Sequence, residues 1–169
     1  MKRIITWLQT VAGVITAITT IVGALIALVG ILHANGFFAS KNNTDDVYKT
    51  VTSYYNDINK NNAVAANYFD NKIDQFISYK NISVTDLQQR INESYSEFIN
   101  GKSVVDRNSL AFMREVNGVK YYQYKIHYAC YRKSLSKNES CDVLIEVGVT
   151  NSLKFVSYIE LKISNLVFS

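Results

Sequence analysis

The chain has 169 residues, 48% of them apolar, with 12 tyrosines and no proline. That length suits one domain with an appendage, and the missing proline excludes a proline-rich linker. The net charge is +4; without Lys2 and Arg3 the balance is 16 basic to 14 acidic residues, which is no electrostatic footprint for nucleic acid.

Between Ile4 and Leu32 there are 29 residues and no charge, where roughly 20 suffice to span a bilayer as a helix. The apolar core of a signal peptide is about half as long, and 33–40 (HANGFFAS) has no small-x-small cleavage pattern. Residues 1–34 are therefore expected to form a single-pass transmembrane helix with a short basic N-terminus. Lys2 and Arg3 favour a cytoplasmic N-terminus and an extracytoplasmic domain in a plasma or bacterial inner membrane. The bias is one or two charges, so a cytoplasmic domain stays open. Within the run, Thr6, Gln9, Gly13, Thr16, Thr20, Gly23, Ala27 and Gly30 recur at alternating spacings of three and four. All are small or polar, as on a helix that packs on its own copy or on other membrane helices. The alternatives are a chance phase of common membrane residues and a pore lining.

Residues 35–44 read as a linker and 45–169 as an α+β domain. Asp45 or Asp46 can cap a helix carrying Val47, Val51, Tyr54, Tyr55 and Ile58 on one face. A short second helix over 61–70 and a strand over 72–79 follow. Ser83 with Asp86 resembles a capping box, opening a third helix with Leu87, Ile91, Tyr95 and Phe98 inward and a stop near Gly101. The period then changes to two. Strands are expected over 109–116, 119–133, 141–150 and 153–168, with a tight hairpin at Asn117-Gly118.

This element order, together with VYKTVTSYYNDINKNNAVAANYFDNKIDQF (47–76), resembles the nuclear transport factor 2-like superfamily. The resemblance implies a cone-like domain of three helices packed on a curved antiparallel sheet. A membrane helix ahead of such a domain is also similar to the assembly-factor subunits of bacterial type IV secretion systems. Enzymes of the superfamily place Asp, His or Tyr in the cone's pocket, which makes Asp57, Asp70, Asp74, Tyr55, Tyr124 and His127 the residues to inspect.

Parity on 119–133 puts Tyr122, Tyr124, Ile126, Tyr128 and Cys130 on one face, and Lys125 with His127 on the other. Tyr55, Tyr122, Tyr124 and Tyr128 are thus candidate pocket residues, while His127, Asp70 and Asp74 read as solvated. No acid–base pair, metal pattern or phosphate loop is visible, so no catalytic residue, metal or cofactor is assigned. Cys130 and Cys141 share face parity, and direct pairing would place them for a hairpin disulfide. A turn centred on Lys137-Asn138 would separate them.

The expected function is that of a membrane-anchored binding or assembly protein. Its partners would be the lipid bilayer, a homo-oligomer or other membrane helices, and no nucleic acid. The alternatives are a membrane-perturbing effector and a small-ligand or isomerase-like pocket protein.

Overall fold

A computed structural model describes residues 41–169. The expected span over 1–34, its seam from Thr6 to Gly30, and the linker up to residue 40 lie outside those residues. Among the described residues no helix is long and apolar enough to cross a membrane. The elements are α1 (Lys41–Asn59), α2 (Ala65–Tyr68), β1 (Lys72–Phe76), β2 (Tyr79–Ser83), α3 (Val84–Glu97), β3 (Phe98–Val116), β4 (Val119–Arg132), a 3-10 turn (Lys133–Leu135), β5 (Lys137–Val149) and β6 (Phe155–Phe168).

Helix α1 buries Val47, Val51, Tyr54 and Tyr55, the helical stripe expected of it. It starts at Lys41, so 41–44 are helical rather than linker. Helix α3 opens on the expected cap: the Asp86 amide donates to Ser83 Oγ at 3.1 Å, and Ser83 Oγ donates to the Asp86 carboxylate at 2.7 Å. It ends at Glu97 and passes straight into β3, without the expected stop at Gly101.

The six strands form one sheet in the order β2-β1-β6-β5-β4-β3. It is mixed, not wholly antiparallel, because β1 runs parallel to β6 through Gln75↔Ser157 and Phe76↔Tyr158. Strand β2 was not expected; of its five residues only Ile82 is buried, which leaves no apolar alternation to detect. Strand β3 is longer than expected by its whole first half. It is an edge strand whose register against β4 shifts three times, and such bulges break the period of two while bending the sheet. Asn117 and Gly118 turn the β3–β4 hairpin at φ 52° and 78°, as their residue types foretell.

Strands β4 and β5 pair Tyr124 with Ile145, Ile126 with Val143, Tyr128 with Cys141 and Cys130 with Glu139. The expected Cys130–Cys141 opposition is therefore wrong by two residues, and both thiols are free and buried. The 3-10 turn and Ser136, at φ 53°, close the hairpin so that Arg132 faces Lys137. This register also sets Glu139 beside Arg132, whose Nη2 donates to its carboxylate at 3.1 Å. Beyond Tyr158, β6 has no neighbour on its β1 side among the described residues, and its pairing with β5 is broken by register shifts near Leu161 and Asn165.

Asn59, at the end of α1, clamps the helix to β3: its Nδ2 donates to the Ser103 carbonyl at 2.9 Å, and its Oδ1 accepts from the Ser103 amide at 2.7 Å. Asn59→Ala orphans both backbone groups of a buried residue, and the expected loss in urea unfolding is about 1–3 kcal/mol.

Candidate functional site

Between the concave face of the sheet and helices α1 and α3 lies a cavity of about 340 Å³. Tyr54, Tyr55 and Ile58 line it from α1, Ile91 and Ser94 from α3, and Phe76 and Ile77 from the β1 end. The sheet contributes Ile126 and Tyr128 (β4), Cys141 and Val143 (β5), and Tyr158, Glu160 and Ile163 (β6). Alternation in three neighbouring strands puts these side chains on one face. Ile77 holds φ 53° at the rim, a conformation that a β-branched residue avoids.

The polar groups are few and grouped. Tyr55 Oη lies 2.6 Å from Tyr158 Oη and 3.4 Å from Tyr124 Oη. Burial pushes all three phenols well above their ordinary range, so they stay protonated hydroxyls. Arg132 and Glu139 form the second group. The Glu139 side chain is 7% exposed, and Arg132 Nε approaches its other carboxylate oxygen to 2.7 Å, off the hydrogen-bonding angle. The Arg132 guanidinium also sits 5.2 Å over the Phe98 ring. Burial raises the Tyr128 hydroxyl and the Cys141 thiol above their ordinary values, which makes Cys141 a poor nucleophile. Glu160 stands apart from both groups. Its surface is open, yet the protein around it removes enough water to raise its carboxyl above the usual range.

Of the candidate pocket residues, Tyr55 and Tyr128 line the cavity. Tyr124 stands behind Tyr55, and Tyr122 packs edge-on against Phe112 at 5.5 Å, away from the cavity. Asp57, Asp70, Asp74 and His127 do not line it. Asp57 accepts from Tyr68 Oη at 2.5 Å, a contact that acts with burial, the larger cause, to raise Tyr68 to about 12. His127 is on the opposite face, where Nδ1 lies 2.8 Å from an Asp142 carboxylate that also accepts from Asn165. Glu160, Arg132 and Glu139 escaped sequence reasoning. Strand parity was the signal that could have found them: Arg132 shares a face with Tyr128 and Cys130, Glu139 with Cys141 and Val143, and Glu160 with Tyr158. What spacing leaves open is that Arg132 meets Glu139, which the hairpin register decides.

A larger concavity, of about 410 Å³, lies between β2 and α3. Its wall is Tyr79, Lys80, Asn81, Ile82, Asp86, Gln89, Arg90 and Glu93, nearly all polar. An outer groove of that kind lacks the apolar lining with a few convergent polar groups that marks a ligand site. The inner cavity has both.

No protein-family profile matches the chain, and no curated protein matches it. Solved structures do. A candidate aromatic ring hydroxylase from Novosphingobium aromaticivorans superposes with a TM-score of 0.62 at 9% identity, covering 77% of this chain and 95% of that one. AclR, a candidate hydroxylase from Streptomyces galilaeus, gives 0.53 at 11% identity, with 72% and 80% covered. A nuclear transport factor 2-like protein of unknown function from an Exiguobacterium species gives 0.49 at 9% identity, covering 69% and 98%. At these identities the likeness is one of fold alone. The described domain is an α+β fold shared with the first two of these structures.

Because Glu160 is easier to protonate in the folded chain than in the unfolded one, its share of stability is present below its ordinary pKa of 4.5 and lost as pH rises through the raised value. Glu160→Gln is therefore expected to gain stability over the parent at pH 8 and not at pH 4. The gain should stay below about 1 kcal/mol, since water screens an open carboxylate. Urea unfolding at the two pH values checks the sign.

Proposed function

We propose that the described domain binds a small, mostly apolar molecule inside its cone. The observation that carries this is the inner cavity itself. Its volume of about 340 Å³ falls at the lower end of ligand-pocket sizes, roughly 300–1,000 Å³. Its wall is aromatic and aliphatic, with hydroxyls on one side and an ion pair on the other. An entering molecule would bury its apolar body against Phe76, Ile91, Ile126 and Val143, at about 25 cal/mol per Å² removed from water. The tyrosine hydroxyls would orient one polar atom. The fold likeness supports this pocket reading over the expected assembly role, and it says nothing about the ligand. Proton-transfer chemistry of the isomerase kind would fall to Glu160, the one carboxyl on the wall outside an ion pair among the described residues.

Para-cresol, a ring with one hydroxyl, is a suitable first ligand. Titrated into the full chain in lipid nanodiscs, with empty discs as blank, it should bind saturably at one site per chain. Ser94→Trp, which puts an indole into the cavity from α3, should abolish the saturable part. Binding that never saturates, or that ignores the tryptophan, would sink the cavity reading.

The uncharged run from Ile4 to Leu32 supports the further proposal that this pocket is tethered to a bilayer, with the seam joining it to a second helix. The full chain should then stay in the membrane pellet after alkaline carbonate extraction. Release into the supernatant would remove the tether.

A further inference from the structure

The cavity is lined by four charged side chains: Arg90, Arg132, Glu139 and Glu160. Arg132 and Glu139 neutralise each other. Arg90 and Glu160 are left over. Neither forms an ion pair among the described residues, with each other or with anything else. They come from different walls, Arg90 from α3 and Glu160 from β6. Both belong to the rim: Glu160 is exposed, and Arg90 is half-buried and shared with the outer groove. The Arg90 guanidinium carbon lies 3.6 Å over the ring of Tyr79, a residue of the outer groove. A stacked guanidinium keeps its edge N–H groups free to donate.

Two charges of opposite sign on the wall of one cavity, neither in an ion pair among the described residues, constrain what can enter. A neutral molecule leaves both without a partner. A simple acid answers Arg90 and is repelled by Glu160, and a simple amine does the reverse. A zwitterion answers both. Resting on the pocket reading above, we infer that the ligand is a compact zwitterion with an apolar side group, an α-amino acid with a large apolar side chain. Its carboxylate meets Arg90, its ammonium meets Glu160, and the side group enters the aromatic interior, where the hydroxyls of Tyr55 and Tyr158 tolerate a ring with or without a polar tip. The mouth thus selects by charge and the interior by shape.

The test compares three molecules that share one ring: phenylalanine, phenethylamine (no carboxylate) and 3-phenylpropionate (no ammonium). Each is titrated into the full chain in nanodiscs by calorimetry, with para-cresol as a control for the cavity. Phenylalanine should bind about ten-fold or more tighter than either fragment, the usual worth of one charge-assisted hydrogen bond. Glu160→Gln should weaken phenylalanine and phenethylamine and leave 3-phenylpropionate unweakened. Arg90→Gln should weaken phenylalanine and 3-phenylpropionate and leave phenethylamine unweakened. Equal binding of phenylalanine and either fragment, or a charge variant that changes neither of its two ligands, overturns the zwitterion. If para-cresol binds while phenylalanine does not, the zwitterion fails and the pocket stands. If neither binds, both fail together.

Discussion

A phenol taken out of water has to find a partner for its hydroxyl, and in this domain three are taken out together. Tyr55 comes from α1, Tyr124 from β4 and Tyr158 from β6, and their oxygens meet in one cluster. That meeting ties the long helix to two strands of the sheet through one side chain. Tyr54, one residue earlier, packs against Tyr68, Phe69 and Phe155 at ring separations of 5.3, 5.5 and 6.2 Å. The two tyrosines split the work: one anchors the helix through edge-on aromatic packing, the other through hydrogen bonds.

The cavity is a by-product of that anchoring. Tyr54 and Tyr55 fill the space between α1 and the sheet, and both rings also form part of the cavity wall. The cavity is roofed by Ile91 and Ser94 and floored by β-branched and sulfur side chains from β4 and β5. The hydroxyls of Tyr55, Tyr124 and Tyr158 answer one another, whereas Arg132 Nε and the Glu139 oxygen facing it are buried in ion-pair contact without a hydrogen bond. A carboxylate such as Glu139, 7% exposed, is tolerated because Arg132 lies beside it; removing the arginine would leave a buried charge without compensation.

Much of the domain was legible from residues alone, for identifiable reasons. The stripe of α1 and the Ser83 cap follow from helix geometry. Inward-facing Tyr122, Tyr124, Ile126 and Cys130 follow from strand alternation, and the Asn117-Gly118 turn from the positive φ its residues accept. What escaped notice depends on long-range pairing. The first half of β3 is a polar edge with bulges, β2 buries one residue of five, and β1 joins β6 in parallel over two residue pairs. The register of the β4–β5 hairpin hinges on a four-residue closure, and alternation cannot tell one even slip from another. The site shares this blindness. Two of its tyrosines could be named in advance, and alternation also turns Arg132, Glu139 and Glu160 inward, but the meeting of Arg132 with Glu139 depends on the hairpin register.

The broken pairing of β6 has a bearing on how such a domain can be crowded. From Ile159 onward the strand offers an open edge that includes Leu161, Ile163, Leu166, Val167 and Phe168, all exposed. A straight run of this kind is a template on which a neighbour can add a strand. Here the irregularities near Leu161 and Asn165 interrupt the ladder and turn successive carbonyls and amides out of line. No long stretch of backbone keeps the spacing that a second chain would need. Many copies held side by side at high local density can therefore touch without knitting their sheets together.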